Sequence, residues 1–452
     1  MQDKNNKIVV LGAGESGTGA ALLAKAKGYD VFVSDSGKIG EKYKQKLQDA
    51  FIDFEENKHT ESIILTANEI VKSPGIPDKS EIILKAKKQK INIIGEIEFA
   101  GRFTYAKKIC ITGTNGKTTT TLLTYHILKK AGYNVGLGGN VGNSFAEMVI
   151  HNKHDWYVLE ISSFMLDNMY DFKADIGVIT NITPDHLDRY DYKIDKYVQS
   201  KFRIIQNMDE ECYFIYGIDS DLIEQNLIDI DTQAIELPFS VYPDEFDGAC
   251  GDEDFISIQY KGQEYIIDIK KSILKGRHNV YNTMAAALAA ITCGVSPSII
   301  EQSLQDFSNA EHRMQDCGTI RGIKFVNDSK ATNVDSAFYA LEAFKQPMIW
   351  IAGGIDKGND YTQLYPVVKD RVKALICLGK DNDKLISAFH KLIPTIKETQ
   401  NIEECINMCL EIGKEGDIVL LSPCCASFDL FANYEDRGKQ FMESVAKYDN
   451  SR

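Results

Sequence analysis

No stretch of this 452-residue chain runs apolar for anything near the ~18 residues that a membrane-spanning helix needs. The first residues, Met1 to Lys7, lack the apolar core of a secretory leader and lead directly into a strand, so a cytoplasmic protein with no membrane partner is expected. A basic surface is missing too. The formal net charge is −14, and no stripe of lysine and arginine stands against it, which argues against a nucleic-acid partner. Small anionic ligands stay within reach, because a local group of N–H donors and lysines can outweigh a global excess of carboxylate. Disulfide spacing is also lacking. Ten cysteines are scattered along the chain, several in predicted strands or helices (Cys110, Cys293, Cys377), as suits reduced and mostly buried thiols. The neighbours Cys424 and Cys425 have no second pair to complete a zinc site, so packing is their expected role. Sequence repeats and low-complexity linkers are absent as well.

What remains is an ordinary globular composition, 44% hydrophobic and 26% charged, long enough for two to four domains at roughly 100 to 200 residues each. Its most informative segment is Ile109-Cys110-Ile111-Thr112-Gly113-Thr114-Asn115-Gly116-Lys117-Thr118-Thr119-Thr120. This reads as a buried strand, a glycine-hinged loop and a helix. Backbone N–H groups around Gly113, Asn115 and Gly116 can point at phosphate oxygens if no side chain intervenes, with Lys117 supplying a cation and Thr118 an oxygen for Mg²⁺ at the helix N-terminus. A standard phosphate loop has glycine five residues before Gly116, where Ile111 stands, so this is the shorter Gly-Thr-x-Gly-Lys-Thr variant. A plain surface turn between strand and helix is the alternative.

Upstream, the strand Lys7 to Leu11 runs into Gly12-Ala13-Gly14-Glu15-Ser16-Gly17, a helix follows, and a strand from Tyr29 to Val33 ends at Asp35, 18 positions after Gly17. Taken alone, this glycine pattern with a carboxylate at ribose spacing means a dinucleotide-dependent oxidoreductase. Strand and helix alternation continues through Ser62 to Leu65, the turn Ser73-Pro74-Gly75-Ile76-Pro77, and Ile91 to Ile94, giving a Rossmann-like domain over 1–95. A second α/β unit, 96–308, carries strands at Trp156 to Ile161, Asp175 to Thr180 and Cys212 to Tyr216. Within it Ile256, Ile258 and Tyr260 alternate, Lys261-Gly262 turns, and Tyr265, Ile267 and Ile269 answer as a hairpin. A helix from His278 to Thr292 stops at Gly294. A third, Rossmann-like α/β set, 309–452, has strands Lys324 to Asn327, Met348 to Ala352, Ala374 to Leu378 and Asp417 to Ser422. The fold class is therefore α/β in three domains, with a phosphate-loop ATPase in the middle and ligands expected in clefts.

Several polar positions fall at the carboxyl ends of strands, where open parallel sheets hold ligands. Glu160 would face the phosphate loop and bind Mg²⁺. Asn181 to Asp188 offers the imidazole of His186 and nearby carboxylates, although a lone histidine is more often a packed or surface residue. Lys201, on a short helical stretch, reads from sequence alone as a solvated lysine. Asn279 and Asn282, three apart, share a helix face. In the last domain three loops, Asn327 to Asn333, Gly353 to Gly358 and Leu421 to Asp429, imply one shared binding face.

The order Gly-Thr-Asn-Gly-Lys-Thr, Glu160, Asn181 to Asp188, Gly276-Arg277-His278-Asn279 with Asn282, His312-Arg313, Asp328 to Asn333 and Gly353 to Gly358 resembles the Mur ligases of peptidoglycan synthesis across essentially the whole chain. Residues 328 to 333, 353 to 358 and 422 to 434 resemble the D-glutamate-adding members, whereas sister enzymes and folylpolyglutamate synthetase share only the central motifs. The resemblance implies a monomeric, ATP-dependent ligase that joins UDP-N-acetylmuramoyl-L-alanine to D-glutamate through an acyl phosphate, with two Mg²⁺ ions. It implies catalytic roles for Lys117, Glu160, His186 and Lys201, the last as a carbamate. Thr118 and Glu160 would hold one metal; Glu160, His186 and Lys201 the second. ATP would be bound by Gly113, Thr114, Asn115, Gly116, Lys117, Thr118, Thr119, Asn279, Asn282, Arg313 and Asp328. The first domain would bind UDP, not a dinucleotide, through Gly14, Glu15, Ser16, Asp35 and Ser36, and Asn140 with His186 would meet the muramyl group. Lys330, Thr332, Lys357, Ser427, Phe428 and Tyr434 would surround D-glutamate. One departure stands out: some members carry Asp-Thr-Arg where this chain has Asp35-Ser36-Gly37, which removes an arginine from the uridine side. A UDP-sugar binding protein with a dead ATP site is a further alternative, disfavoured by intact Lys117, Thr118 and Glu160.

Overall fold

Three sheets, each dominated by parallel strands, organise the computed structural model, which describes residues 6–228, 230–242 and 246–449. By contacts the chain forms two compact units, Met1–Phe307 and Ser308–Arg452.

The first unit holds two sheets. A five-stranded parallel sheet runs in the order Asp53–Glu55, Asp30–Ser34, Lys7–Leu11, Glu69–Lys72, Asn92–Gly95. Ser62 to Leu65 falls on a one-turn helix, Glu61–Ile64, and the strand lies later, at Glu69–Lys72. Short apolar runs are ambiguous between the two periods, and here Ile64 and Ile70 both bury against one side of the sheet. The second sheet has nine strands, its parallel core ordered Tyr213–Gly217, Ile176–Ile179, Lys107–Thr112, Trp156–Glu160, Val135–Gly139. At its far edge Phe255–Tyr260 and Gln263–Asp268 pair antiparallel, as the alternation predicts. Apolar side chains of both sheets merge into one core, from Ile8 and Val10 through Ile97 and Phe99 to Phe145 and Tyr157. That continuity makes the first 307 residues one compact body.

The linker between the two sheets is tied down by buried carboxylates. Glu98 accepts backbone N–H bonds from Tyr170 (2.9 Å), Asp171 (3.2 Å) and Phe172 (3.0 Å). Glu96 accepts from Ser144 Oγ (2.7 Å) and the Ala146 N–H (2.8 Å), and burial pushes its carboxyl up to about 7.

The second unit is a six-stranded sheet in the order Gln315–Ile320, Ile323–Asn327, Ile418–Leu421, Met348–Ala352, Val372–Leu378, Thr395–Thr399. Ile323–Asn327, Ile418–Leu421 and Met348–Ala352 are adjacent and parallel, so the three polar loops leave the same end of the sheet side by side.

Candidate active site

The strand Lys107–Thr112 ends in the loop Gly113 to Gly116, and the helix Lys117–Lys130 begins from it. Gly113 and Gly116 have φ of +141° and +81°. Both are also crowded: a Cβ on Gly113 would stand 1.9 Å from Thr180 Oγ1, and one on Gly116 2.1 Å from Asn282 Oδ1. Only glycine satisfies the backbone and the packing together. The loop is braced from the next strand end, where Thr114 N–H donates to Asn181 O (2.8 Å), Asn115 N–H to Asn181 Oδ1 (2.9 Å) and Thr180 Oγ1 to Asn115 O (2.6 Å). Lys117 curls back over it, donating to Gly113 O at 2.9 Å and Thr114 O at 2.8 Å. A phosphate group that offered this ammonium anionic oxygens in place of two carbonyls would draw it outward. Behind the loop, the alanine-rich helix Arg277–Thr292 packs its small residues closely, and Asn282 on it donates to Asn279 Oδ1 at 3.1 Å. The shared face expected of these two amides is thus a direct hydrogen bond.

Glu160 closes the strand Trp156–Glu160 and is 1% exposed. One carboxylate oxygen accepts from Asn140 Nδ2 at 2.6 Å, while the other is buried with no partner among the described residues. An anionic oxygen left in that state is costly unless a cation meets it, and this is the observation that fits a metal ion. Among the described residues no three His, Cys, Asp or Glu side chains gather as a metal cage. A cation here would therefore need the Thr118 hydroxyl, a modified Lys201 or the nucleotide's own oxygens in addition.

Lys201 is not solvated. The helix Ile194–Phe202 buries Tyr197, Val198, Lys201 and Phe202, and Lys201 is 1% exposed. Its Nζ lies 4.7 Å from the Tyr197 ring centroid and donates to Thr112 Oγ1 at 3.5 Å, a long bond for a buried amine. Burial drives its pKa well below the lysine range and the nearby Lys117 charge adds to this, against the pull of Asp185, Asp167 and Glu160. The Tyr197 hydroxyl is 3.1 Å from Thr114 Oγ1, which joins the lysine's surroundings to the phosphate loop. His186 sits in a left-handed backbone conformation (φ +52°), Nε2 3.6 Å from Asp185 and its ring edge-on to Phe164. Asp185, Asp167 and Tyr197 went unassigned in the sequence. The apolar residues Tyr197, Val198 and Phe202, on the same helix face as position 201, are the signal that puts Lys201 inside.

On the first sheet, Gly14 precedes the helix Glu15–Ala26 with open space where a side chain would be. Both oxygens of Asp35 accept backbone N–H bonds, from Ala13 (2.7 Å) and Gly37 (2.8 Å), so the carboxylate fixes the glycine loop itself. Glu15 is held by Tyr43 (3.0 Å) and Lys42 (3.3 Å). Ser36 and Gly37 are exposed.

In the second unit the three loops are bound into one face by Arg437, which no motif in the sequence marks. Its guanidinium, 1% exposed, donates to Ser329 Oγ (2.9 Å), Ser329 O (2.8 Å), Cys425 O (3.3 Å) and Gly353 O (3.3 Å). Asp328 is buried, its carboxyl pushed up to about 7 by desolvation, and Arg313 beside it pulls the other way. Arg313 Nε is itself buried without a partner among the described residues. Lys330 lies 5.4 Å from the Tyr434 ring centroid. Asp356 accepts from Tyr361 OH (2.7 Å), Lys384 Nζ (2.9 Å) and the Gly358 N–H (2.7 Å), which fixes the tip that bears Lys357. Ser427 is buried and Phe428 stands 68% exposed at the loop's edge.

A glycine-hinged phosphate loop, a strand-end carboxylate with an unsatisfied oxygen and a buried lysine define a nucleotide-dependent group-transfer enzyme. Three family models then match the chain in sequence: the Mur ligase MurD-like N-terminal domain over 6–95, the Mur ligase middle domain over 111–290, and the Mur ligase glutamate ligase domain over 312–425. The chain belongs to the Mur ligase family, in its MurD-like branch. It is 49% identical over 443 residues to the UDP-N-acetylmuramoylalanine–D-glutamate ligase of Christiangramia forsetii, covering 97% of this chain and 99% of the relative. To the enzyme of the same name from Cytophaga hutchinsonii it is 51% identical, covering 98% and 99%. Solved structures share the fold at lower identity. A pseudomurein peptide ligase type C from Methanothermus fervidus matches with a TM-score of 0.63 at 20% identity, over 98% of this chain and 99% of that one. The MurF ligase of Thermotoga maritima in complex with ADP matches with 0.60 at 14% identity, over 99% and 100%.

Proposed function

We propose that this protein ligates D-glutamate to UDP-N-acetylmuramoyl-L-alanine at the expense of ATP, in cytoplasmic peptidoglycan precursor synthesis. The observation that carries this is the near-complete, roughly half-identical match to ligases of that name. The work divides along the chain: residues 1–95 take the UDP-linked substrate, 96–308 the ATP, and 309–452 the amino acid.

A carboxylate is a poor acyl donor. An oxygen of the L-alanyl carboxylate attacks the γ-phosphorus, the bond to the bridging oxygen breaks, and ADP leaves. The neutral amine of D-glutamate then attacks the acyl carbon, and phosphate departs with the C–O bond pair. The amine loses a proton and an amide remains. Lys117 and the N–H groups from Gly116 to Thr119 hold the phosphates, those of Thr114 and Asn115 being taken by Asn181, while Asn279, Asn282, Arg313 and Asp328 position the rest of the nucleotide. Thr118, Glu160, His186 and carbamylated Lys201 would hold two Mg²⁺, which supply charge neutralisation at the transferred phosphoryl group. Gly14, Glu15, Ser16, Asp35 and Ser36 meet the uridine nucleotide; Asn140 and His186 meet the muramyl portion. Lys330, Thr332, Lys357, Ser427, Phe428 and Tyr434 surround D-glutamate, with Lys357 pairing one of its carboxylates.

Incubation with both substrates and ATP should give a product heavier than the muramyl substrate by one glutamate less water, with one ADP and one phosphate each. A hydride transfer to or from a nicotinamide would instead support the oxidoreductase suggested by Gly12 to Gly17. Replacing Lys357 by alanine should raise the KM for D-glutamate about 100-fold and leave that for ATP within about threefold, the scale of one charge-assisted pair. A defect confined to ATP would reassign Lys357.

A further inference from the structure

Arg189, three positions after His186, has no role in the account so far, yet it touches both halves of the first unit. Its guanidinium donates to the backbone carbonyls of Gly75 and Pro74, each at 3.3 Å. The same group lies 4.5 Å from the ring centroid of Phe164, and Phe164 meets the His186 ring edge-on at 5.2 Å. The turn it grips, Ser73 to Ile76, leaves the strand Glu69–Lys72 and lies against the glycine loop of the first sheet. There Ser73 N–H donates to Leu11 O at 2.9 Å and Ser73 Oγ to Gly12 O at 3.4 Å. A Cβ on Gly12 would come within 2.6 Å of that hydroxyl, so the turn and the loop are in close contact.

One side chain thus runs from the loop that carries His186 to the turn that supports Gly12 to Gly17. We propose that Arg189 is a positioning residue that fixes the spacing between the uridine-nucleotide end and the muramyl end of the substrate site, an inference that rests on the ligase reading. The substrate is one molecule held at both ends. Binding energy from the nucleotide end, remote from the chemistry, helps place the reacting carboxylate only if the two ends of the site are rigidly related. The guanidinium suits this task because its planar fork reaches two carbonyls while its face lies on an aromatic ring, which a lysine ammonium cannot do at once.

The test is steady-state kinetics of Arg189→Ala and Arg189→Lys with all three substrates, with and without added guanidinium chloride at sub-denaturing concentration, alongside thermal melting. For Arg189→Ala we expect the KM for UDP-N-acetylmuramoyl-L-alanine to rise about 10-fold and kcat to fall about 10-fold, the KM values for ATP and D-glutamate staying within about threefold. Arg189→Lys should recover little, and guanidinium should restore part of the alanine variant's rate. Unchanged kinetics would overturn the proposal. So would a loss spread evenly over the three substrates with a lower Tm and no recovery by guanidinium, since that is what general loosening produces. Should the wild-type chain fail to ligate, the ligase reading falls by itself. The tie is then read by calorimetry with UDP-N-acetylmuramoyl-L-alanine: a 10-fold weaker Kd in Arg189→Ala supports it and an equal Kd removes it.

Discussion

Lys117→Ala is expected to abolish ligation, by about 1000-fold or more in kcat, while binding of UDP-N-acetylmuramoyl-L-alanine stays within a few-fold. Lys117 is held by the carbonyls of Gly113 and Thr114 at 2.9 and 2.8 Å, at the mouth of a loop whose glycines admit no side chain. In the proposed reaction its charge would act where negative charge collects on the transferred phosphoryl group. The glycine loop assigned to the uridine nucleotide belongs to a different sheet. Kinetics paired with calorimetry of the muramyl substrate checks the division. Equal loss of turnover and of substrate binding would show that the two sheets do not separate these tasks.

The second large effect concerns Lys201. Carbamylation needs a neutral amine, which attacks CO₂ to form the carbamate and releases a proton. A lysine 1% exposed, pressed against the Tyr197 ring and close to the Lys117 charge, disfavours the ammonium and so makes that amine available. The modified side chain would bring anionic oxygens to a site where Glu160 already has one unsatisfied. Lys201→Ala should lose about 100-fold or more in turnover, and short-chain carboxylic acids should restore part of it by supplying the missing oxygens. The intact enzyme in bicarbonate should show the carbamate by ¹³C NMR. An unmodified ammonium under saturating CO₂ and Mg²⁺, or near-normal turnover in the variant, contradicts the role.

Much of this is legible in the sequence. The strand and loop around Gly113 to Lys117 announce themselves because glycine spacing, a buried apolar run and a threonine-rich helix start all agree. Met348–Ala352 and the hairpin about Lys261-Gly262 were equally plain, one an unbroken apolar run and the other a strict alternation. Other strands carried weaker signals. Val135–Gly139 contains three glycines, Thr395–Thr399 is largely polar at a sheet edge, and Asp53–Glu55 has only three residues. Lys201 is instructive in another way. Its residue type suggests solvent, and only the helical stripe it shares with Tyr197, Val198 and Phe202 says otherwise. Arg437 and Arg189 had no local signal at all. Their bonds reach Ser329 and Gly353 in one case and Pro74 and Gly75 in the other, and such long-range partners follow from the assembled sheets.

Phosphate release from ATP in the presence of UDP-N-acetylmuramoyl-L-alanine, measured with D-glutamate, L-glutamate, L-alanine, L-lysine and no amino acid in parallel, tests the central claim most directly. The account predicts stoichiometric phosphate with D-glutamate and background with the others. Release that is indifferent to the amino acid, or that prefers another one over D-glutamate, would contradict it.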